Sequence, residues 1–305
     1  MQHSPCKIEL DDLLAWRQHA AAVDLSSRRR VLTDLAGTHL SGFRGRGMEF
    51  EEHRVYQPGD EVRSMDWRVT ARTGEPHIRL YREERERPVI LVADLRATMQ
   101  FGTRGCFKSV LAARALALCA WSAMANGDRV GGLVFDGQRE QQLRSAGGRR
   151  GVLQLMHALC DVQPRLAPAA LSEALKRLLR TVPGGALVAL FSDFRGLDQA
   201  ACDQLRRLAR KAELIVGFVH DPLESQLPAA GRYAVQATDA DHDETGVLDT
   251  AAKASQQRWS DAFEQHQAQL QRAVAAGGGH WLDLPTQRPL LDSMSLAFGR
   301  RRLAS

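Results

Sequence analysis

A chain of 305 residues, 44% of them hydrophobic, can bury a sizeable core without disulfide or metal staples. Its net charge of +5 is spread along the chain and carried almost wholly by arginine, with lysine only at 7, 108, 176, 211 and 253, so no basic stripe marks a nucleic-acid groove. Five scattered cysteines (Cys6, Cys106, Cys119, Cys160, Cys202) with no CxxC spacing fit free thiols in a reducing compartment; with no signal pattern at MQHSPCKIEL and no uninterrupted apolar run near 18 residues, a soluble, cytoplasmic chain without a membrane span is expected.

Residues 8 to 36 place Leu10, Leu13, Leu14, Val23, Leu25, Val31, Leu32 and Leu35 at mixed helical spacing, which predicts one or two amphipathic helices in a helical N-terminus over 1–43. Between 44 and 87 ten arginines meet ten acidic residues, with few aliphatic runs and turn signals at Pro58-Gly59-Asp60 and Thr73-Gly74. That composition predicts an irregular, ion-pair-rich insertion. Arginine and tryptophan are favoured at binding hot spots, so Arg54, Arg63, Trp67 and Arg72 with Asp60 and Asp66 can form a docking surface. The same residues can equally form Arg–carboxylate forks that order a chain poor in apolar material. Both roles stay open.

Pro88-Val-Ile-Leu-Val-Ala-Asp94 is a continuous apolar run, as expected of a strand covered on both faces. A long helix is predicted from near Gly105 to the stop at Asn126-Gly127, then strands over 129–135 and 140–144 around the Asp136-Gly137 turn. Helices near 149–160 and 169–181 lead into Ala186-Leu-Val-Ala-Leu-Phe-Ser-Asp193, a second buried run ending in aspartate. A helix near 198–211 and a strand over 213–219 follow, then a polar, turn-rich stretch to 250, a helix over 251–275, a strand at 281–284 and a helix at 287–298. Strands alternating with helices predict an α/β, doubly wound, mostly parallel sheet with its core at 88–222; residues 223–305 form a C-terminal extension completing the sheet and packing helices.

Asp94 and Asp193 each close an apolar strand, and open α/β sheets bind ligands outside such strand ends where the strand order reverses. Two carboxylates there suit a hard cation. No nucleophile with a base, no HExxH and no GxxxxGK[ST] occurs, and Gly45-x-Gly47 lacks the strand-loop-helix context of a dinucleotide loop, so no enzymatic activity and no small-molecule substrate are expected.

The string Asp94-Leu-Arg96-Ala-Thr98, followed by a helix and a later strand-end aspartate, resembles the metal-ion-dependent adhesion site of von Willebrand factor A domains. Upstream, Gly45 to Trp67, with Glu49, Arg54, Tyr56, Asp60, Arg63 and Asp66, resembles the signature of the bacterial DUF58 family. Arg72, Tyr81-Arg82-Glu83-Glu84, Ser192-Asp193-Phe194, His220-Asp221-Pro222-Leu223-Glu224, Leu227-Pro228 and Glu244-Thr245-Gly246 extend that likeness along the chain. The resemblance implies a von Willebrand A-like fold and an adaptor working with a MoxR-type AAA+ ATPase in assembling or remodelling complexes. It also implies a site of Asp94, Thr98 and Asp193 for Mg²⁺ or Mn²⁺. Arg96 stands where that pattern has a hydroxyl, and 163–170 holds no Ser or Thr. Arg96 is therefore expected to pair with Asp94 or Asp193 and substitute for the metal. Two alternatives stay open: a metal-dependent binder of an acidic protein ligand without an ATPase, and a basic nucleic-acid-binding protein.

Overall fold

The structure, a computed structural model, describes residues 4–23, 25, 48–57, 65–83, 87–162, 171–236 and 245–298. The chain divides into two compact units, Met1–Ser27 with Arg87–Ser305, and Arg28–Glu86.

The N-terminal helical pattern resolves into a short helix, α1 (Leu10–Ala15), that tightens into a 3₁₀ turn over Trp16–Ala22. Leu13, Val23 and Leu25 are buried in the main core. The expected helical residues Val31, Leu32 and Leu35 lie outside the described residues.

In the smaller unit, the segment expected to be irregular contains an antiparallel ribbon, β1 (Met48–Val55) with β2 (His77–Glu83), and a helix between them, α2 (Trp67–Thr73). The charge count conceals the alternation Ile78-Arg79-Leu80, which is strand patterning. Asp66 caps α2 by accepting from the Arg68 and Val69 amides at 3.0 and 3.3 Å, and Gly74 closes it in the left-handed region at φ 79°.

The larger unit is built on a six-stranded sheet of β3 (Pro88–Asp94), β4 (Arg129–Phe135), β5 (Glu140–Ala146), β6 (Leu187–Ser192), β7 (Glu213–His220) and β10 (His280–Pro285). Its order is β10-β7-β6-β3-β4-β5, parallel throughout except for β5 at one edge. Side-chain alternation sends Val89, Leu91, Ala93, Leu187, Ala189 and Phe191 to one core and Val92, Val188, Leu190, Leu214 and Val216 to the other. Helices α3 (Lys108–Ala125), α4 (Gly148–Cys160) and α9 (Leu290–Phe298) cover the first with α1, while α5 (Leu171–Thr181), α6 (Gln199–Lys211) and α8 (Lys253–Ala275) cover the second. A Cβ at Gly217 of β7 would overlap the Phe191 ring, so glycine is what lets β6 and β7 keep that aromatic between them.

By length and mean hydropathy (1.2), α3 could cross a membrane, but 83% of it is buried inside the protein, as befits a central core helix. It starts at Lys108 rather than near Gly105. The stretch 221–250, expected to be turns, holds a one-turn helix, α7 (Pro222–Ser225), and a ribbon of β8 (Arg232–Gln236) with β9 (Thr245–Asp249). Short strands of Tyr, Val and Leu among polar residues carry too little apolar length to stand out in sequence.

Candidate functional site

The strand order turns back between β3 and β6, so the crevice above their carboxyl ends is where this topology places a ligand. Asp94 closes β3 and Asp193 follows β6; both are buried. Each is already engaged by a cation of the same chain.

Arg96, two residues past Asp94, folds back in a fork: its Nε donates to both Asp94 oxygens at 2.9 and 3.1 Å and its Nη2 to Oδ2 at 2.7 Å. The Arg96 amide donates to Asp94 Oδ1 at 3.1 Å, and the Ser192 hydroxyl donates to Oδ2 at 2.6 Å. The Arg96 Nη2 also donates to the Arg195 carbonyl at 3.0 Å and lies 4.0 Å from Asp193 Oδ1, so it ties the two strand ends together. Burial alone would lower the Arg96 pKa, but the Asp94 charge and hydrogen bonds, with Asp193 behind them, raise it.

Asp193 is held by Lys108, the first residue of α3, with Nζ 2.8 Å from Asp193 Oδ2 and 2.8 Å from Glu224 Oε1. Lys108 is 1% exposed. Burial opposes its charge, yet the two carboxylates raise its pKa, and Lys108 in turn holds Asp193 below the usual aspartate range despite full burial. The Arg195 amide donates to Asp193 Oδ1 at 3.0 Å across the tight turn at Phe194. Phe194 is the non-glycine residue with positive φ (54°) among the described residues; its buried ring and the hydrogen bond its amide donates to Ser192 Oγ (2.7 Å) hold that costly conformation.

Glu224 also accepts from the half-exposed Arg195 at 3.3 Å and, through Oε2, from the Asp221 amide in a capping box. Asp221 itself is buried, and among the described residues its donors are neutral: the Thr103 and Thr286 hydroxyls, the Thr103 amide and the Leu223 amide. Those donors outweigh its burial and lower its pKa. Beside Arg195 and Glu224 opens a cavity of about 120 Å³, lined otherwise by Trp259, Ala262, Phe263 and His266 of α8.

This donor set does not fit a bound divalent ion. All four oxygens of Asp94 and Asp193 already accept from cations or N–H and O–H donors, and Thr98, expected as the third ligand, is exposed on the 3₁₀ turn Ala97–Met99 and bonds neither carboxylate. Ser192, not Thr98, is the hydroxyl on Asp94. Among the described residues no group of three or more His, Cys, Asp or Glu could hold a metal ion. Arg96, expected to pair with Asp94 or Asp193, forks onto Asp94. Lys108, Glu224 and Arg195 were missed in sequence, although a lone lysine heading an otherwise apolar helix was a signal of a buried charge with a partner.

The signature residues of the smaller unit are spread over it. Glu49 lies on β1 opposite Arg82, Arg54 is half-buried on the same strand, and the Tyr56 amide donates to the Pro76 carbonyl at 2.8 Å. Asp66 is the buried helix cap, Arg72 is exposed, and Trp67 is 66% exposed. Asp60 and Arg63 lie outside the described residues, as do 163–170.

Residues 52–269 match the family described as protein of unknown function DUF58. Uncharacterized proteins of Mycobacterium tuberculosis and Mycobacterium bovis are each 31% identical over 285 residues, covering 92% of this chain and 88% of theirs. Among solved structures, the conserved hypothetical protein BatB from Bacteroides thetaiotaomicron aligns over 69% of this chain and 98% of its own, with 16% identity and a TM-score of 0.45. An aerotolerance-related membrane protein from Bacteroides fragilis NCTC 9343 aligns over 70% and 100%, with 14% identity and a TM-score of 0.44.

Proposed function

The chain belongs to the DUF58 family, and from that membership we propose that it is a non-catalytic adaptor, cytoplasmic, whose partner is a MoxR-type AAA+ ATPase acting in complex assembly or remodelling. The ATPase rests on the family resemblance. Its sheet is read as von Willebrand factor A-like, which the reversal of order between β3 and β6 and the antiparallel edge strand support. The observation that carries an interaction role is Trp67, a large aromatic left 66% exposed at the start of α2, in the arginine-rich unit. Tryptophan and arginine dominate binding hot spots because they combine large contact area with directional polar groups.

The crevice supports the same reading. Asp94 and Asp193 are paired with Arg96 and Lys108, which ties two strand ends to the first turn of α3, a holding role that suits an interaction domain. The metal-dependent alternative is correspondingly weakened.

Titration of the purified chain into the MoxR-type ATPase of the same genome, followed by calorimetry or interferometry, tests the proposal. Association is expected, and Trp67→Ala is expected to weaken it about 30-fold, corresponding to a hot-spot loss of about 2 kcal/mol. An exposed tryptophan is outside the packed core, so the variant should melt within about 2 °C of the parent. No association of the parent chain with the ATPase would remove the adaptor assignment.

A further inference from the structure

We infer that Arg96 and Lys108 together are a built-in dication standing where two carboxylates at a sheet switch point would otherwise gather a divalent metal, so that this face works without metal. The inference is drawn from the crevice alone and holds whatever the partner is.

Charge and geometry both support it. Asp94 and Asp193 bring two negative charges to one end of the sheet, and one Mg²⁺ or Mn²⁺ would balance them. Arg96 and Lys108 supply the same two positive charges from the chain itself, one clasping Asp94 in a fork, the other 2.8 Å from Asp193; Glu224, which Lys108 also meets at 2.8 Å, has Arg195 at 3.3 Å as a third cation, so the count still balances. They come from different elements, the loop after β3 and the first turn of α3, so both sides of the crevice are bridged. Neither is a surface ornament: Lys108 is 1% and Arg96 8% exposed. A buried cation of this kind is retained only where carboxylates offset its desolvation.

Two covalently attached cations differ from a metal in kind. A metal leaves open coordination positions for a partner's oxygen and is removed by chelators; a guanidinium and an ammonium fill the space with their own stems and stay. The arrangement of the crevice is therefore indifferent to EDTA.

The test uses the full chain with Mn²⁺ as probe, read by electron paramagnetic resonance of free Mn²⁺ and by thermal melting. The parent chain is expected to leave the free Mn²⁺ signal undiminished and its melting temperature unmoved by 10 mM MnCl₂. Arg96→Ser combined with Lys108→Ser is expected to gain one Mn²⁺ site and to melt about 5 °C higher with the metal than without it, the shift for a ligand at roughly 100 times its Kd. Adding Asp94→Asn should abolish that gain. If the double variant stays unfolded even with Mn²⁺ in the refolding buffer, Arg96→Ser alone carries the test, with a weaker site expected. Binding of Mn²⁺ by the parent chain that Asp94→Asn removes would overturn the inference. So would a folded variant, double or single, that gains no metal site, because the cations would then be structural props with no metal place to fill.

Discussion

At the scale of single residues, Lys108 concentrates the consequences. Removing it leaves the buried Asp193 with Arg96 only at 4.0 Å and the part-buried Glu224 with the half-exposed Arg195 at 3.3 Å, so Lys108→Met is expected to destabilise the chain by about 3 kcal/mol, seen as a lower urea midpoint. Lys108→Met with Asp193→Asn should recover part of that loss, since the stranded charge goes with its partner. The pH dependence follows from the same pair. The pKa of Asp193 is lower in the fold than in the unfolded chain, so its stabilisation is present above the ordinary aspartate value near pH 4 and fades as pH falls through the folded value. Lys108 is the reverse case: its pKa is raised, so its stabilisation is present below about pH 10 and fades at still higher pH. Urea midpoints are expected to run flat between those limits and to drop outside both. Thiol chemistry separates the cysteines in the same way: Cys6 is exposed, while full burial pushes Cys119 up to about 12, so a disulfide reagent should label Cys6 at once and Cys119 only on unfolding.

At the scale of elements, the sequence disclosed most where burial is symmetrical. Runs such as Pro88–Asp94 and Leu187–Ser192 are covered on both faces and show in sequence as unbroken apolar strings ending in aspartate. The two site carboxylates were legible for that reason, and Arg96 with them, because its partner lies two residues away. Lys108, Glu224 and Arg195 were not, since their side chains meet Asp193 or one another across 29 to 116 residues of chain and no local spacing encodes such a meeting. The β8–β9 ribbon escaped notice because neither strand has a buried stripe long enough to impose a period. Capping chemistry offers an element-level check. Asp66→Ala removes the acceptor for the first amides of α2 and is expected to cost about 1 kcal/mol, with faster hydrogen exchange at Arg68 and Val69 and little change elsewhere.

At the scale of the whole molecule, the smaller unit interrupts the larger one: the chain leaves it after Ser27 and rejoins it at Arg87. Arg87 anchors the rejoining point, with its Nη2 2.6 Å from Glu213 Oε2, its amide on Asp128 at 3.1 Å and its Nη1 3.5 Å from the Leu25 carbonyl. Leu25 and Arg87 are thus neighbours, and replacing residues 28–86 by a Gly/Ser linker of about six residues should leave a larger unit that melts cooperatively but no longer associates with the ATPase. The same neighbourhood sets a time order on folding. Leu13, Val23 and Leu25 belong to a core whose other members begin at Val89, so the first segment of the chain must wait for the segment beyond Arg87 before it can be buried. Bringing the ends of a loop of about 60 residues together costs roughly 3–4 kcal/mol in chain entropy if that loop is random coil. If the inserted unit compacts first, the ends are tethered over a shorter effective loop and the cost falls. The arginine-rich segment would then act as a brace during synthesis, lowering the entropic barrier to closing the sheet that its own sequence takes no part in.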